Sequence, residues 1–131
     1  MRAKKIGYWV ATALVAFVLL SGGAAQLARM PQNVEGMVHL GYPVYLLGIL
    51  GFWKVLGGIA ILAPRFPRLK EWAYAGAFFD LTGAAASHFF TGDPFARFFF
   101  PALFALVTLV SWALRPQGRT LGTLIPARAA A

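Results

Sequence analysis

The sequence predicts an all-α protein, a four-transmembrane-helix bundle with a short amphipathic outer segment between spans one and two. Of the 131 residues, 60% are hydrophobic and only 12% are charged, whereas soluble domains carry about 25% charged residues. The apolar residues also fall into four stretches, each long enough to cross a hydrocarbon core of about 30 Å. These predicted spans cover about residues 6–27, 45–63, 72–90 and 98–114.

Each predicted span has a recognisable length or end. The first holds about 22 residues, which extend about 33 Å as a helix. The second ends at residues 64–68, where two prolines stop a helix. The third stops at Thr91-Gly92-Asp93-Pro94, and the fourth stops at Arg115-Pro116.

The first span has a competing interpretation as a cleaved signal peptide. It combines a basic start, an apolar run and the small residues 21–25. Signal peptides usually contain an apolar run of about 7–15 residues, and this run is longer. We therefore expect a membrane span, and the charge pattern alone does not exclude cleavage.

Residues 1–116 form one predicted transmembrane domain. The segment at 31–43 is too short and polar to cross a membrane, and it mixes Val34 and Met37 with Glu35 and His39. It is typical of a short amphipathic helix lying on the outer surface or in the mouth of the bundle. Residues 117–131 are expected to form a flexible, basic, cytoplasmic tail.

Basic residues alternate between the predicted loops. They cluster before span one, between spans two and three, and after span four. The positive-inside rule then places both termini in the cytoplasm. The basic residues behind the net charge of +8 therefore set the membrane topology and contact anionic head groups of the lipid bilayer. No nucleic-acid partner is expected.

The chain has no cysteine. This excludes disulfide exchange, zinc–thiolate sites and cysteine-ligated iron–sulfur clusters carried by this chain alone. No protein metal site is expected from the sequence.

Lys54 and Asp80 are the two charges inside the four predicted spans. A charge at mid-depth costs about 2.5 kcal/mol or more, so it normally faces a partner, a cavity or a pathway. Helical rise puts the two residues at similar depths on antiparallel neighbours, which predicts a buried ion pair. The pair has two interpretations, a structural latch or part of a proton, ion or ligand pathway.

Small residues share the faces that carry these charges. Their spacing of three and four predicts that spans two and three pack closely on each other. The candidate helix-packing glycines are Gly51, Gly57, Gly58, Gly76 and Gly83.

A second polar group is predicted at the outer mouth of the bundle. The candidate outer cluster comprises Gln26, Glu35, His39, His88 and Asp93. Histidine beside a carboxylate can transfer protons near neutral pH, and paired histidines can ligate haem iron or a divalent metal. The competing interpretations are a helix-end hydrogen bond for His88, surface exposure for His39 and helix capping for Asp93.

The chain resembles the DoxX-like family of small four-helix membrane proteins from about Lys5 to Pro116. The resemblance rests on six strings: Ser21-Gly22, His39–Pro43, Gly51–Gly58, Pro64–Gly76, Phe79-Asp80-Leu81 and Ser87-His88. Many relatives carry a basic residue shortly after the serine–glycine, where Gln26 stands here. The resemblance implies a bacterial-type inner membrane and a quinone-associated or accessory redox role, with a quinone as the candidate cofactor.

Three functions follow as hypotheses. The leading one is an accessory or scaffold subunit associated with a quinone-linked redox complex, without independent catalytic activity. Its partners would be the lipid bilayer, another membrane or redox subunit, or further copies of the chain. The alternatives are a quinone-binding oxidoreductase subunit, with a quinone beside Phe98-Phe99-Phe100, and a small transporter or ion pathway using Lys54, Asp80 and His88.

Overall fold

The structure, a computed structural model, describes residues 2–116, and the predicted tail at 117–131 lies outside the described residues. Five helices and no strand occur in the described part of the chain, which confirms the all-α prediction. The helices are α1 (Arg2–Leu27), α2 (Pro31–Leu40), α3 (Leu46–Leu62), α4 (Pro67–Phe90) and α5 (Phe95–Ala113).

The four longer helices form a ring. Helix α1 packs against α3 and α5, and α4 packs against the same two helices from the opposite side. The centre of the ring is a core of Val15, Leu19, Ile61, Tyr74 and Ala77. Helix α2 touches α1 and α3 and buries none of its own residues.

The outer surface of the ring is strongly apolar. Phe17, Trp53, Phe79 and Leu106, one on each long helix, are all exposed. Soluble monomers rarely expose contiguous apolar patches above a few hundred Å². The surface therefore suits a hydrocarbon environment.

Two helices, α1 and α5, are long and apolar enough to cross a membrane by length and composition alone. Helix α3 is apolar but shorter, at 17 residues. Helix α4 has 24 residues, but Lys70, Glu71 and Asp80 reduce its apolar character. Within residues 2–116, two of the four predicted spans therefore correspond to helices that are long and apolar enough to cross a membrane.

The turn between α3 and α4 has an unusual backbone. Arg65 and Phe66 both adopt positive φ, at 67° and 55°, a region that non-glycine residues rarely occupy. Pro67 then begins α4 at a position where its missing amide donor costs little. The turn brings the C-terminal end of α3 against the first turns of α4.

Candidate functional site

Lys54 and Asp80 lie near the middle of α3 and α4 and face each other. Lys54 Nζ is 3.4 Å from Asp80 Oδ2, and the two side chains are 19% and 18% exposed. Charge-assisted hydrogen bonds are usually about 2.7–2.9 Å. The structure therefore brings together the two charges that the sequence predicts to pair, as an ion pair that is looser than a direct hydrogen bond.

A groove between α3 and α4 begins at this ion pair. It encloses a cavity of about 630 Å³, within the usual range for small-molecule sites of about 300–1,000 Å³. Apart from the pair, its lining is almost entirely apolar. Its characteristic lining residues are Trp53, Gly57, Phe66, Leu69, Trp72 and Gly76.

The glycine prediction is wrong for three of its five positions. A Cβ added at Gly57, Gly76 or Gly83 would meet nothing within 4 Å, so these glycines do not allow a close helix contact. Gly57 and Gly76 instead border the α3/α4 groove, and Gly83 is exposed. The two helices diverge along the face where the sequence predicts their closest approach.

The other two glycines pack, but against α1. A Cβ at Gly51 would lie 2.7 Å from the carbonyl oxygen of Gly23, and one at Gly58 would lie 2.8 Å from the Leu20 side chain. Gly23 is therefore a packing residue that the sequence analysis missed. Its place in the small-residue stretch 21–25 is the signal that could have identified it.

Asp93 joins two histidines at the end of the bundle where α4 ends and α5 begins. His39 Nε2 donates to Asp93 Oδ1 at 2.5 Å, and His88 Nδ1 donates to Asp93 Oδ2 at 2.7 Å. The Asp93 side chain is only 6% exposed. Hydrogen bonds from His88 and then His39 lower the pKa of Asp93 below its usual value of 3.8. We call this arrangement of His39, Asp93 and His88 the Asp93 bridge.

A second contact lies beside the Asp93 bridge. The hydroxyl groups of Tyr42 and Ser87 are 2.6 Å apart, and Ser87 also donates to the carbonyl oxygen of Gly83. The Tyr42–Ser87 contact and the Asp93 bridge connect the end of α2 and the residues after it with the end of α4. Because α2 buries no residue, these polar contacts are a main attachment of this segment.

Gln26 and Glu35 do not join the Asp93 bridge, so the structure contradicts the prediction for these two members of the outer cluster. Gln26 points inward from α1 and is 8% exposed; within residues 2–116 its Oε1 atom has no hydrogen-bond partner. Glu35 is exposed on α2, one turn before His39. Helix orientation, which the sequence pattern did not define, separates them.

The structure also contains a buried hydroxyl network that the sequence analysis missed. Ser111 Oγ lies 2.6 Å from Thr12 Oγ1 and 2.7 Å from the Tyr74 hydroxyl. These three residues are buried and connect α1, α4 and α5. Isolated hydroxyl groups in apolar helices carry little sequence signal, because they can also bond to their own helix.

Arg115 and Glu71 form an ion pair at the opposite end of the bundle, where α5 ends and α4 begins. Arg115 Nη2 is 2.7 Å from Glu71 Oε1, and Trp112 Nε1 donates to Glu71 Oε2 at 3.0 Å. Burial would raise the pKa of Glu71, but the hydrogen bonds from Trp112 and Arg115 and the positive charge of Arg115 lower it overall. The guanidinium also lies 5.5 Å from the ring centre of Tyr74.

Lys70 is fully buried, although the sequence suggests an exposed, topology-determining loop residue. Its ammonium donates to the carbonyl oxygen of Ala60 at 2.6 Å and to that of Ala63. These carbonyls belong to the end of α3, where backbone acceptors lack helical partners. Lys70 therefore stabilises the α3–α4 turn, which closes one end of the groove.

No group of three or more His, Asp and Glu residues within 2–116 is arranged to hold a metal ion.

The all-helical fold, the two span-length apolar helices and the apolar exterior define a class, the helical membrane proteins. More particularly, the chain belongs to the DoxX-like family, whose family model matches residues 10–111.

A curated relative is the "Uncharacterized protein YdgD" of Bacillus subtilis (strain 168), which is 31% identical over 74 residues. The alignment covers 56% of this chain and 64% of the relative, so the chain spans less than two thirds of that protein. No solved structure gave a significant match.

Proposed function

We propose that this chain is a multi-pass inner-membrane protein with four spans, which acts as an accessory or scaffold subunit of a quinone-linked redox complex. One observation supports the proposal: buried and partly buried polar side chains connect different helices. The Lys54–Asp80 pair joins α3 to α4, and the hydroxyl network joins α1, α4 and α5. Such contacts hold helices in a fixed arrangement where the surrounding lipid provides no hydrophobic driving force.

The α3/α4 groove supports the quinone association. A quinone combines a small carbonyl-bearing ring with an apolar tail, and it supplies reversible two-electron redox chemistry when bound. Lys54 would donate to a ring carbonyl, and the apolar walls beside Gly57 and Gly76 would hold the tail. The sequence suggestion of a quinone beside Phe98–Phe100 finds less support, because the groove is formed by α3 and α4.

Co-purification tests the accessory role. We expect an affinity-tagged chain from its native membrane to carry a bound quinone and a stoichiometric redox subunit. Quinone would be measured by solvent extraction and chromatography, and the subunit by mass spectrometry after cross-linking. An untagged preparation is the control, and recovery of neither component above its level would contradict the proposal.

The absence of cysteine makes the four-span arrangement directly testable. Single substitutions Gln32→Cys and Thr91→Cys fall in the proposed outer segments, and Ala3→Cys and Pro64→Cys fall in the inner ones. We expect a membrane-impermeant maleimide to label only the first two in intact cells, and all four after permeabilisation. Labelling of Pro64→Cys in intact cells would rule out the arrangement.

A further inference from the structure

We infer that the α3/α4 groove binds a neutral lipid with a small oxygen-bearing head group at the Lys54–Asp80 pair and its tail running toward the α3–α4 turn. The inference rests on the membrane-spanning arrangement proposed above and specifies the chemical class of the ligand. It does not require that the ligand be a quinone.

The ion pair determines the head group. The Lys54 ammonium can donate a hydrogen bond and the Asp80 carboxylate can accept one, and both border the groove. A head group with a net charge would meet a like charge in one of the two partners, and burying a further charge within a membrane span is costly. A neutral carbonyl or hydroxyl group satisfies the pair without either penalty.

The glycines determine the path of the tail. Gly57 and Gly76 border the groove on opposite helices, and each has open space where a side chain would stand. From the ion pair, the groove continues to Ala63 on α3 and Leu69 on α4, which corresponds to about 13–16 Å at helical rise. Trp53 and Trp72 border the same path, so the tail lies between apolar walls.

An ordinary phospholipid chain is a poorer occupant. Its head group would remain at the membrane surface, and its methyl end would lie against the Lys54–Asp80 pair. A charged pair facing a methyl group gains no hydrogen bond, and burying polar groups without partners is costly. The position of the pair at the deep end of the groove therefore favours a ligand whose polar group is the deep end.

Four probes in detergent test the inference on the full-length protein. Three share a brominated alkyl chain that quenches tryptophan fluorescence: 12-bromododecan-1-ol, 12-bromododecanoic acid at pH 8, and 1-bromododecane. The fourth is decylubiquinone, which quenches through its ring. We expect saturable quenching by the alcohol, and at least about tenfold weaker binding of the acid and of the headless chain.

Filling the groove should abolish this binding. Gly76→Leu places a side chain in the open space, and we expect at least about a tenfold loss of affinity for the alcohol. Gly83→Leu is the matched control, because Gly83 lies on the same helix with equally open space but outside the groove. Gly57→Leu provides the same test from α3 if Gly76→Leu reduces the folded fraction.

Three further variants test the head group and the orientation. In the double variant Lys54→Met with Asp80→Leu, the alcohol should lose its advantage over 1-bromododecane. The bromine marks the end of the tail, so Trp72→Phe should remove more of the quenching than Trp53→Phe. Equal binding of all three brominated chains, tightest binding of the acid, or unchanged binding in both Gly57→Leu and Gly76→Leu would overturn the inference.

The outcomes separate this inference from the proposed function. If the alcohol binds in the groove but decylubiquinone does not, the neutral-lipid site stands and the quinone association loses its support. If decylubiquinone and the alcohol both bind equally well to the wild type and to both groove-filling variants, the quinone association stands and the groove site is overturned.

Discussion

Asp93 connects two helices at the end of the bundle where α4 meets α5. It accepts hydrogen bonds from His39 and His88, which lie 54 and 5 positions away in the chain. His39 is on α2, and His88 is on the last turn of α4. The carboxylate therefore connects a helix that has no buried residue to the rim of the four-helix ring.

The lowered pKa of Asp93 predicts a pH-dependent stability. Above the usual carboxyl value of 3.8, Asp93 is ionised in both the folded and the unfolded chain, so its contribution to stability is complete. As the pH falls below this value, the unfolded chain takes up the proton first, and the contribution is lost as the folded carboxylate becomes protonated.

We therefore expect Asp93→Asn to unfold at a lower temperature than the wild type at pH 6, with a difference that shrinks toward pH 3. Thermal unfolding in detergent at several pH values measures this. Glu35→Gln is the control, because Glu35 is an exposed carboxylate outside the bridge. A difference between Asp93→Asn and wild type that stays constant with pH would contradict the assignment.

The Lys54–Asp80 pair makes a second prediction at the scale of single residues. Removing one partner leaves a charge facing apolar walls, so Lys54→Met and Asp80→Leu alone should each lower stability. We expect about 1–3 kcal/mol, less than the loss of about 3–5 kcal/mol for fully buried pairs, because both side chains remain partly exposed. The double variant should recover most of this loss.

A double-mutant cycle of thermal unfolding measures the coupling between the two sites. The two single losses should not add, and the coupling free energy should favour the pair. Additive losses would show that the two charges act independently, despite the 3.4 Å separation of their nearest polar atoms.

At the scale of helices, α3 has two unlike faces. On one face, Gly51 and Gly58 allow contact with α1 so close that Gly51 nearly touches the backbone of Gly23. On the other face, Gly57 borders an open groove. The same residue type therefore permits close packing on one side of the helix and leaves free volume on the other.

Alanine substitution should separate these two uses of glycine. Gly51→Ala would place a methyl group 2.7 Å from the Gly23 carbonyl oxygen, so the helices must move apart, at a cost of about 1–3 kcal/mol. Gly57→Ala meets no neighbour and should be neutral or slightly stabilising, because alanine favours helix more than glycine does. Equal unfolding temperatures for the two variants would contradict this view of the α1/α3 contact.

The glycine pattern also shows how far the sequence could predict the helices. Period-three-and-four spacing groups Gly51, Gly57 and Gly58 on one face with Lys54, and this grouping is wrong. Gly51 and Gly58 contact α1, whereas Gly57 borders the groove. Consecutive helical positions differ by about 100° around the axis, so the spacing does not determine which neighbour each glycine meets.

At the scale of the whole molecule, composition and patterning predict the all-helical class, because 60% hydrophobic residues in long stretches leave few alternatives. The Lys54–Asp80 contact was predictable because two charges in apolar helices need partners. The groove could not be predicted from the sequence, because a cavity depends on how two helices diverge. The buried roles of Lys70 and Ser111 were not predictable either. Lys70 donates across the α3–α4 turn to Ala60 and Ala63, and Ser111 contacts Thr12 and Tyr74 on other helices, so both roles depend on how the helices are arranged.

The packing of α1 predicts that the first helix remains in the mature protein. Tyr8, Val15 and Leu19 are almost fully buried in the ring, so cleavage within residues 21–25 would remove three core side chains. In a chain tagged at both ends, we expect both tags on one full-size membrane protein in immunoblots. Ala25→Leu, which would block processing at this stretch, should not change the band, and an N-terminal tag that separates from the rest would contradict the prediction.

The groove opens between two helices, on the side of the ring rather than at either end. A molecule entering it would come from the hydrocarbon phase, so occupancy would follow its mole fraction in the lipid and not its concentration in the aqueous buffer. Apparent affinities should therefore weaken in proportion to added detergent or lipid at a fixed total amount of ligand. Any comparison of ligands for this protein must first correct for how strongly each one partitions.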